Sequence, residues 1–141
     1  MSRSVNRAYL IGRAGARAEV RTTTSGRRVA TFTLATSRGG GNSPEKTDWH
    51  RIVAWDDLAE SAHRGLEKGQ RVYVEGRLEH RTWKDRSGGQ RHTTEVVAED
   101  LILLDAAEAG ASPRTWRDVL AEEGPEEGQN GFSAVDEELP F

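Results

Sequence analysis

Strand periodicity recurs five times along this chain, one helical stretch falls between the third and fourth strands, and a glycine interrupts the fourth. These features predict a mainly all-β fold, a five-stranded OB-fold Greek-key barrel at residues 1–104 with one helix between strands 3 and 4. The rest of the chain is rich in Ala, Gly, Pro and Glu with little to bury. It predicts a disordered linker at 105–135 and an acidic tip at 136–141.

Val5 to Gly12 alternates loosely and ends in a turn around Arg13-Ala14-Gly15-Ala16, after which Glu19 to Thr23 continues the strand in extended form. Ser25-Gly26 marks a turn. Arg28 to Ser37 is the second strand, with Ala30, Phe32 and Leu34 on one face and Val29, Thr31 and Thr33 on the other. Arg38-Gly39-Gly40-Gly41-Asn42-Ser43-Pro44 predicts a mobile loop without regular structure, because glycines cost backbone entropy and proline supplies no ladder donor. No Lys-Ser/Thr pair follows it, which argues against a phosphate-cradling loop.

Thr47 to Asp56 is the third strand. Asp56-Asp57 offers an N-cap and a negative first turn, Leu58, Ala62 and Leu66 recur at helical spacing through Glu67, and Lys68-Gly69 supplies the stop. Arg71 to Glu75 opens the fourth strand, where Gly76 predicts a bulge or bend. Leu78 to Trp83, the turn Lys84 to Gln90, and Arg91 to Val97 read as a long polar hairpin, and Leu101 to Leu104 closes the barrel edge. In the tail, Ser112-Pro113 could cap a short amphipathic helix over 113–123, with Trp116, Val119 and Leu120 on one face. So short a helix needs a partner surface to persist.

Charge divides the chain. Residues 1–104 hold 18 Lys and Arg against 13 Asp and Glu, a net of +5, whereas residues 105–141 hold 2 against 10, a net of −8. A basic body with an acidic tail suits a polyanion partner. There is no cysteine, so disulfides and thiolate metal sites are excluded. The four histidines, His50, His63, His80 and His92, lack metal-ligand spacing, and neither metal nor cofactor is expected. Met1-Ser2-Arg3-Ser4 leads into no apolar segment and no stretch reaches membrane-span length, so a soluble cytoplasmic protein without membrane contact is expected.

The third strand carries the chemistry. Alternation puts Trp49, Arg51, Val53 and Trp55 on one face, with His50, Ile52 and Ala54 on the other. Two indoles flanking an arginine either fill a core or offer flat rings for bases beside a charge for phosphates. Trp83, in the polar hairpin next to Arg81 and Lys84, favours the second reading. An RNA-binding OB module would share this barrel and its aromatics. A nuclease would need clustered carboxylates, for which Asp56-Asp57 is the one candidate pair, and that pair fits a helix cap better. A purely structural oligomerisation domain would not need the Trp and Arg face.

The body resembles the bacterial single-stranded DNA-binding proteins through Val5-Asn6-Arg7, Leu10-Ile11-Gly12, Glu19-Val20-Arg21, Thr33 to Ser37, Trp49 to Val53, Leu58-Ala59-Glu60, Lys68-Gly69, Val72 to Gly76 and Thr93 to Val96. The ending Asp136-Glu137-Glu138-Leu139-Pro140-Phe141 resembles theirs too. The resemblance implies sequence-independent, non-catalytic binding and protection of single-stranded DNA in replication, recombination and repair by a nucleoid-associated homotetramer. It places base stacking at Trp49, Trp55 and Trp83. Backbone contacts fall at Arg3, Arg21, Arg51, Lys68, Arg81 and Arg91, and Lys84, beside Trp83 in the polar hairpin, is expected to join them. Subunit contacts fall at His50 and Tyr73, and docking of replication, recombination and repair proteins at Asp136 to Phe141. Two departures stand out: glycines replace an aromatic in the 38–44 loop, and Asp56-Asp57 replace a neutral residue and a lysine, which should repel DNA locally.

Overall fold

The computed structural model describes residues 3–104, 114–121 and 133–134. Six strands, β1 (Ala8–Ala14), β2 (Glu19–Thr22), β3 (Arg28–Gly40), β4 (Ser43–Trp55), β5 (Arg71–Lys84) and β6 (Gln90–Leu103), join in the order β1-β5-β6-β4-β3-β2. β1 also pairs with β3, through Arg13 with Ala35 and Ala14 with Leu34, and this closes the barrel. The neighbours are antiparallel except β4 and β6, which run parallel at Ile52–Val96 and Val53–Val97. The expected first strand is thus two, because the chain turns between Ala14 and Glu19 to leave β5 and join β3.

Alternation decides what lies inside. Ala30, Phe32 and Leu34 of β3, Ile52 and Ala54 of β4, and Val72 and Val74 of β5 all point into one core. The expected bulge lies at Gly76 but its extra residue is on β6: Glu75 pairs with Asp100 and Gly76 with Ala98, which leaves Glu99 over, and a Cβ at Gly76 would strike the Val97 carbonyl. Beyond it the two strands continue as a polar arm to the turn at Asp85–Gly89, where Asp85 accepts from the Gly89 and Ser87 N–H groups.

Two local expectations need correction. Residues 38–44 are not a structureless loop, because β3 and β4 stay paired through Arg38–Lys46 and Gly40–Ser43. A register shift between Arg38 and Gly40 absorbs the glycines at positive φ (93° at Gly39, 107° at Gly40, 62° at Gly41) and leaves Pro44 where its missing donor is not needed. The helix α1 (Asp57–Gly65) stops short of Lys68-Gly69, since Leu66 is already extended at φ −94°, ψ 127°. Lys68 and Gly69 instead form a turn closed by Gln70 N–H to Glu67 O, with Gly69 at φ 85°.

α1 covers one barrel end with Ala59 and Ala62, and Leu66, just past its last turn, joins the same core. A further piece of chain packs beside it: β7 (Arg114–Thr115) pairs with the end of β6, and α2 (Trp116–Ala121) sets Val119 into the core. Thr115 and Asp118 cap α2 reciprocally, Thr115 N–H donating to Asp118 Oδ2 at 2.9 Å and Asp118 N–H to Thr115 Oγ1 at 3.2 Å. A two-residue strand, β8 (Ser133–Ala134), lies parallel to β2. The rest of the 105–135 linker and all of the 136–141 tip fall outside the described residues. Among the described residues, no helix is long and apolar enough to cross a membrane.

Candidate nucleic-acid interface

Because Ile52 and Ala54 point inward, Trp49, Arg51, Val53 and Trp55 must point outward, and they do. Val29 and Val53 form a separate small cluster with Trp55, away from the main core. On this outer face the rows across β3 and β4 read Val29–Trp55, Thr31–Val53, Thr33–Arg51 and Ala35–Trp49. Arg21 of β2 extends the first row as the partner of Val29. β6 and β5 extend the face through Glu95, Arg81 and Trp83.

The tryptophans differ. Trp49 is 61% exposed, its ring resting on Gly15, where a Cβ would come within 2.7 Å of it. Trp83 is half-buried on the arm and donates from Nε1 to Thr93 Oγ1 at 3.3 Å. Trp55 is half-buried too, with the Arg27 guanidinium over its ring, 4.5 Å from the centroid. A cleft of about 250 Å³ opens between Arg17 and Arg51, with Thr31 and Thr33 in its wall.

At the middle of the face sits an acid. Glu95 is 2% exposed, with Oε2 at 3.4 Å from Arg51 Nε and 3.7 Å from Arg81 Nη1. Burial pushes its carboxyl above the ordinary value, against the pull of Arg81 and Arg51. Arg91 is similarly tied to Asp85 at 2.9 Å, and Arg91 with Ser87 and Gly89 holds that carboxyl below its usual range. The arginines of this face are therefore held on carboxylate tethers, Arg51 and Arg81 by Glu95 and Arg91 by Asp85.

Sequence reasoning missed Glu95, Arg27 and Arg17. Arg27 had a local signal in the doubled Arg27-Arg28 before a strand, but only the fold brings it to Trp55. Asp56 stands at the N-cap of α1 as expected, yet its side chain makes no capping bond and pairs with Arg27 at 2.8 Å. The acid expected to repel DNA is thus partly neutralised. Arg21, Arg51, Arg81 and Trp83 join Trp49 and Trp55 on the face, and Lys84 and Arg91 lie at the arm's turn end. Lys68 and Arg3 are exposed and lie off the strands that build the face.

His50 and Tyr73 lie elsewhere. His50 is the register partner of Leu34 and shares a 2.8 Å hydrogen bond with Thr36 Oγ1. Tyr73 pairs with Ile11 of β1 and Ile102 of β6 and donates its hydroxyl to Glu75 Oε1 at 3.0 Å. Beside it Ile11 and Tyr9 are 57% and 60% exposed, giving an apolar patch distinct from the Trp and Arg face.

Comparison with known proteins gives a consistent picture. The family model of the Single-strand binding protein family matches residues 5–104. The Single-stranded DNA-binding protein 1 of Chlorobaculum tepidum is 46% identical over 115 residues, covering 78% of this chain and 71% of that protein. A solved structure, the Plasmodium falciparum SSB complex with ssDNA, matches with a TM-score of 0.68 at 37% identity, covering 74% of this chain and 99% of that one.

Proposed function

The chain belongs to the Single-strand binding protein family, and from that premise we propose that its Trp and Arg face holds single-stranded DNA without reading sequence. The observation that carries the proposal is the placing of Trp49, Arg51, Trp55, Arg81 and Trp83 on one outer surface of the barrel. Indole faces accept any base, and guanidinium groups accept the phosphates between them. Nothing in this arrangement reads a base edge. It binds and protects the strand during replication, recombination and repair and performs no chemistry on it.

Arg21, Arg51, Arg81, Lys84 and Arg91 follow the backbone, with Arg3 and Lys68 reached by strand wrapping around the body. Wrapping requires more than one barrel. The patch of Tyr9, Ile11 and Tyr73, with His50 near the barrel rim, supplies contacts for a homotetramer. The Asp136-Glu137-Glu138-Leu139-Pro140-Phe141 tip recruits replication, recombination and repair proteins, offering apolar Leu139-Pro140-Phe141 beside acidic side chains to a pocket lined with cations.

Titrating the protein with poly(dT) at several salt concentrations tests this reading. Trp fluorescence should be quenched, with log K falling linearly against log salt by about 0.7 per phosphate neutralised. Absence of quenching at low salt, or tighter binding to RNA of equal length, removes the proposal.

A further inference from the structure

Trp55 is a platform already in use. Val29 and Val53 pack against its indole, and Arg27 lies over the ring. Arg27 is fixed there by a fork: Nη2 donates to Asp56 Oδ2 at 2.8 Å and Nε to Oδ1 at 3.3 Å. The two side chains are 53% and 57% exposed. An incoming polyanion therefore reaches this ion pair directly, which is not true of buried Glu95.

Asp56 is shaped for this contact. Its backbone sits at φ 56°, ψ −120°, the one non-glycine positive φ among the described residues. Aspartate enters that region at a cost, and such strain persists only where surrounding bonds impose it. Here they do: Asp56 N–H donates to Arg28 O at 2.9 Å, and its carbonyl accepts from Glu60 N–H at 3.1 Å. The carboxylate, free of any capping bond, is turned to Arg27.

Resting on the single-stranded DNA reading above, we propose that Arg27 is a further DNA-contacting residue, held over Trp55 by Asp56 until a backbone phosphate takes the carboxylate's place. A phosphate offers the guanidinium fork the same pair of acceptor oxygens, so the exchange keeps the number of charge-assisted bonds. It also swings the guanidinium off the ring and lets a base stack there. Stacking on Trp55 and phosphate capture by Arg27 are one event. Asp56, left beside the polyanion without its partner, sets the cost of that event and lowers affinity.

The experiment is poly(dT) titration of the full chain across salt concentrations, for the unaltered protein, Arg27→Ala, Asp56→Asn and the double variant. Arg27→Ala should weaken binding about tenfold at low salt, as expected for one charge-assisted contact, and reduce the salt slope by about 0.7. Asp56→Asn should tighten binding, and most of that gain should vanish when Arg27 is absent. Asp56→Gly repeats the Asp56 test with the backbone strain relieved, should the asparagine variant fold poorly. Equal or tighter binding by Arg27→Ala overturns the proposal, as does an Asp56→Asn gain that is the same with or without Arg27. Failure of the unaltered protein to quench would instead sink the DNA reading itself.

Discussion

Glu95 Oε2 lies 3.4 Å from Arg51 Nε at the centre of the Trp and Arg face, with the acid 2% exposed and the arginine side chain 39% exposed. Arg81 approaches the same oxygen from β5, and Glu79, the register partner of Glu95, adds a second negative charge. A buried acid thus offsets the cations proposed to meet DNA.

The consequence is pH dependence of a definite sign. Burial raises the Glu95 carboxyl above its ordinary 4.5, Arg81 and Arg51 oppose the rise, and Glu79 adds to it. The folded state therefore binds the proton more tightly than the unfolded chain, so stability from this group grows as pH falls through the raised value and is lost as pH rises through it. Phosphates favour the neutral acid for the same electrostatic reason. Affinity for poly(dT) should increase from pH 7 downward more steeply than in Glu95→Gln, which at pH 7 should already bind more tightly. Titrations shared by both proteins cancel in the difference, and parallel pH profiles would refute the role given to Glu95.

The three tryptophans should separate by experiment. Trp49, at 61% exposed, contributes little to the core. Trp49→Ala should cost about 1–3 kcal/mol of binding, the range seen for alanine substitution of stacking residues in single-strand-binding OB folds, with melting temperature nearly unchanged. Trp55→Ala should lower both, because Val29 and Val53 lose their cover and Arg27 its ring. Thermal melts run beside anisotropy titrations check the pair; a Trp55→Ala protein as stable as the parent contradicts the packing argument.

What was legible in the sequence was local. The inward Ile52 and Ala54 and the outward Trp49, Arg51 and Trp55 follow from a period of two, which the chain carries within itself. The place of the bulge was legible in Gly76, since a missing side chain inside a strand marks a close neighbour, but that its extra residue is Glu99 on β6 was not. The paired hairpin through Arg38–Pro44 was not, because long ladders on both sides override the local cost of glycine and proline. Glu95 meets Arg51 because β4 and β6 lie side by side. Asp56 abandons its cap for Arg27, 29 residues away. Charge pairs made by topology leave no spacing to read.

The apolar patch on β1 and β5 predicts assembly. Ile11 is 57% exposed beside Tyr9 and Tyr73, and a single barrel gains nothing from leaving these in water. Ile11→Glu should lower the light-scattering mass relative to the unaltered protein while leaving the barrel folded, as Ile11 stands largely in water. An unchanged mass would place the subunit contacts elsewhere.

Val119 shows that the barrel uses chain beyond Leu104. It is 1% exposed within the main core, although its helix α2 has six residues and could not persist alone. α2 is anchored by the Thr115–Asp118 capping pair, by β7 on β6, and by Arg64 Nη1 donating to Leu120 O at 3.3 Å. Val119→Ala removes two buried methyl groups and should cost about 2 kcal/mol, lowering Tm by several degrees. Val119→Asp, burying an unpaired charge, should cost more. Truncation after Leu104 should resemble the aspartate variant, since it uncovers the same core surface, whereas truncation after 121 should melt like the full chain. Equal melting of both truncations would show that α2 rests on the barrel without supporting it.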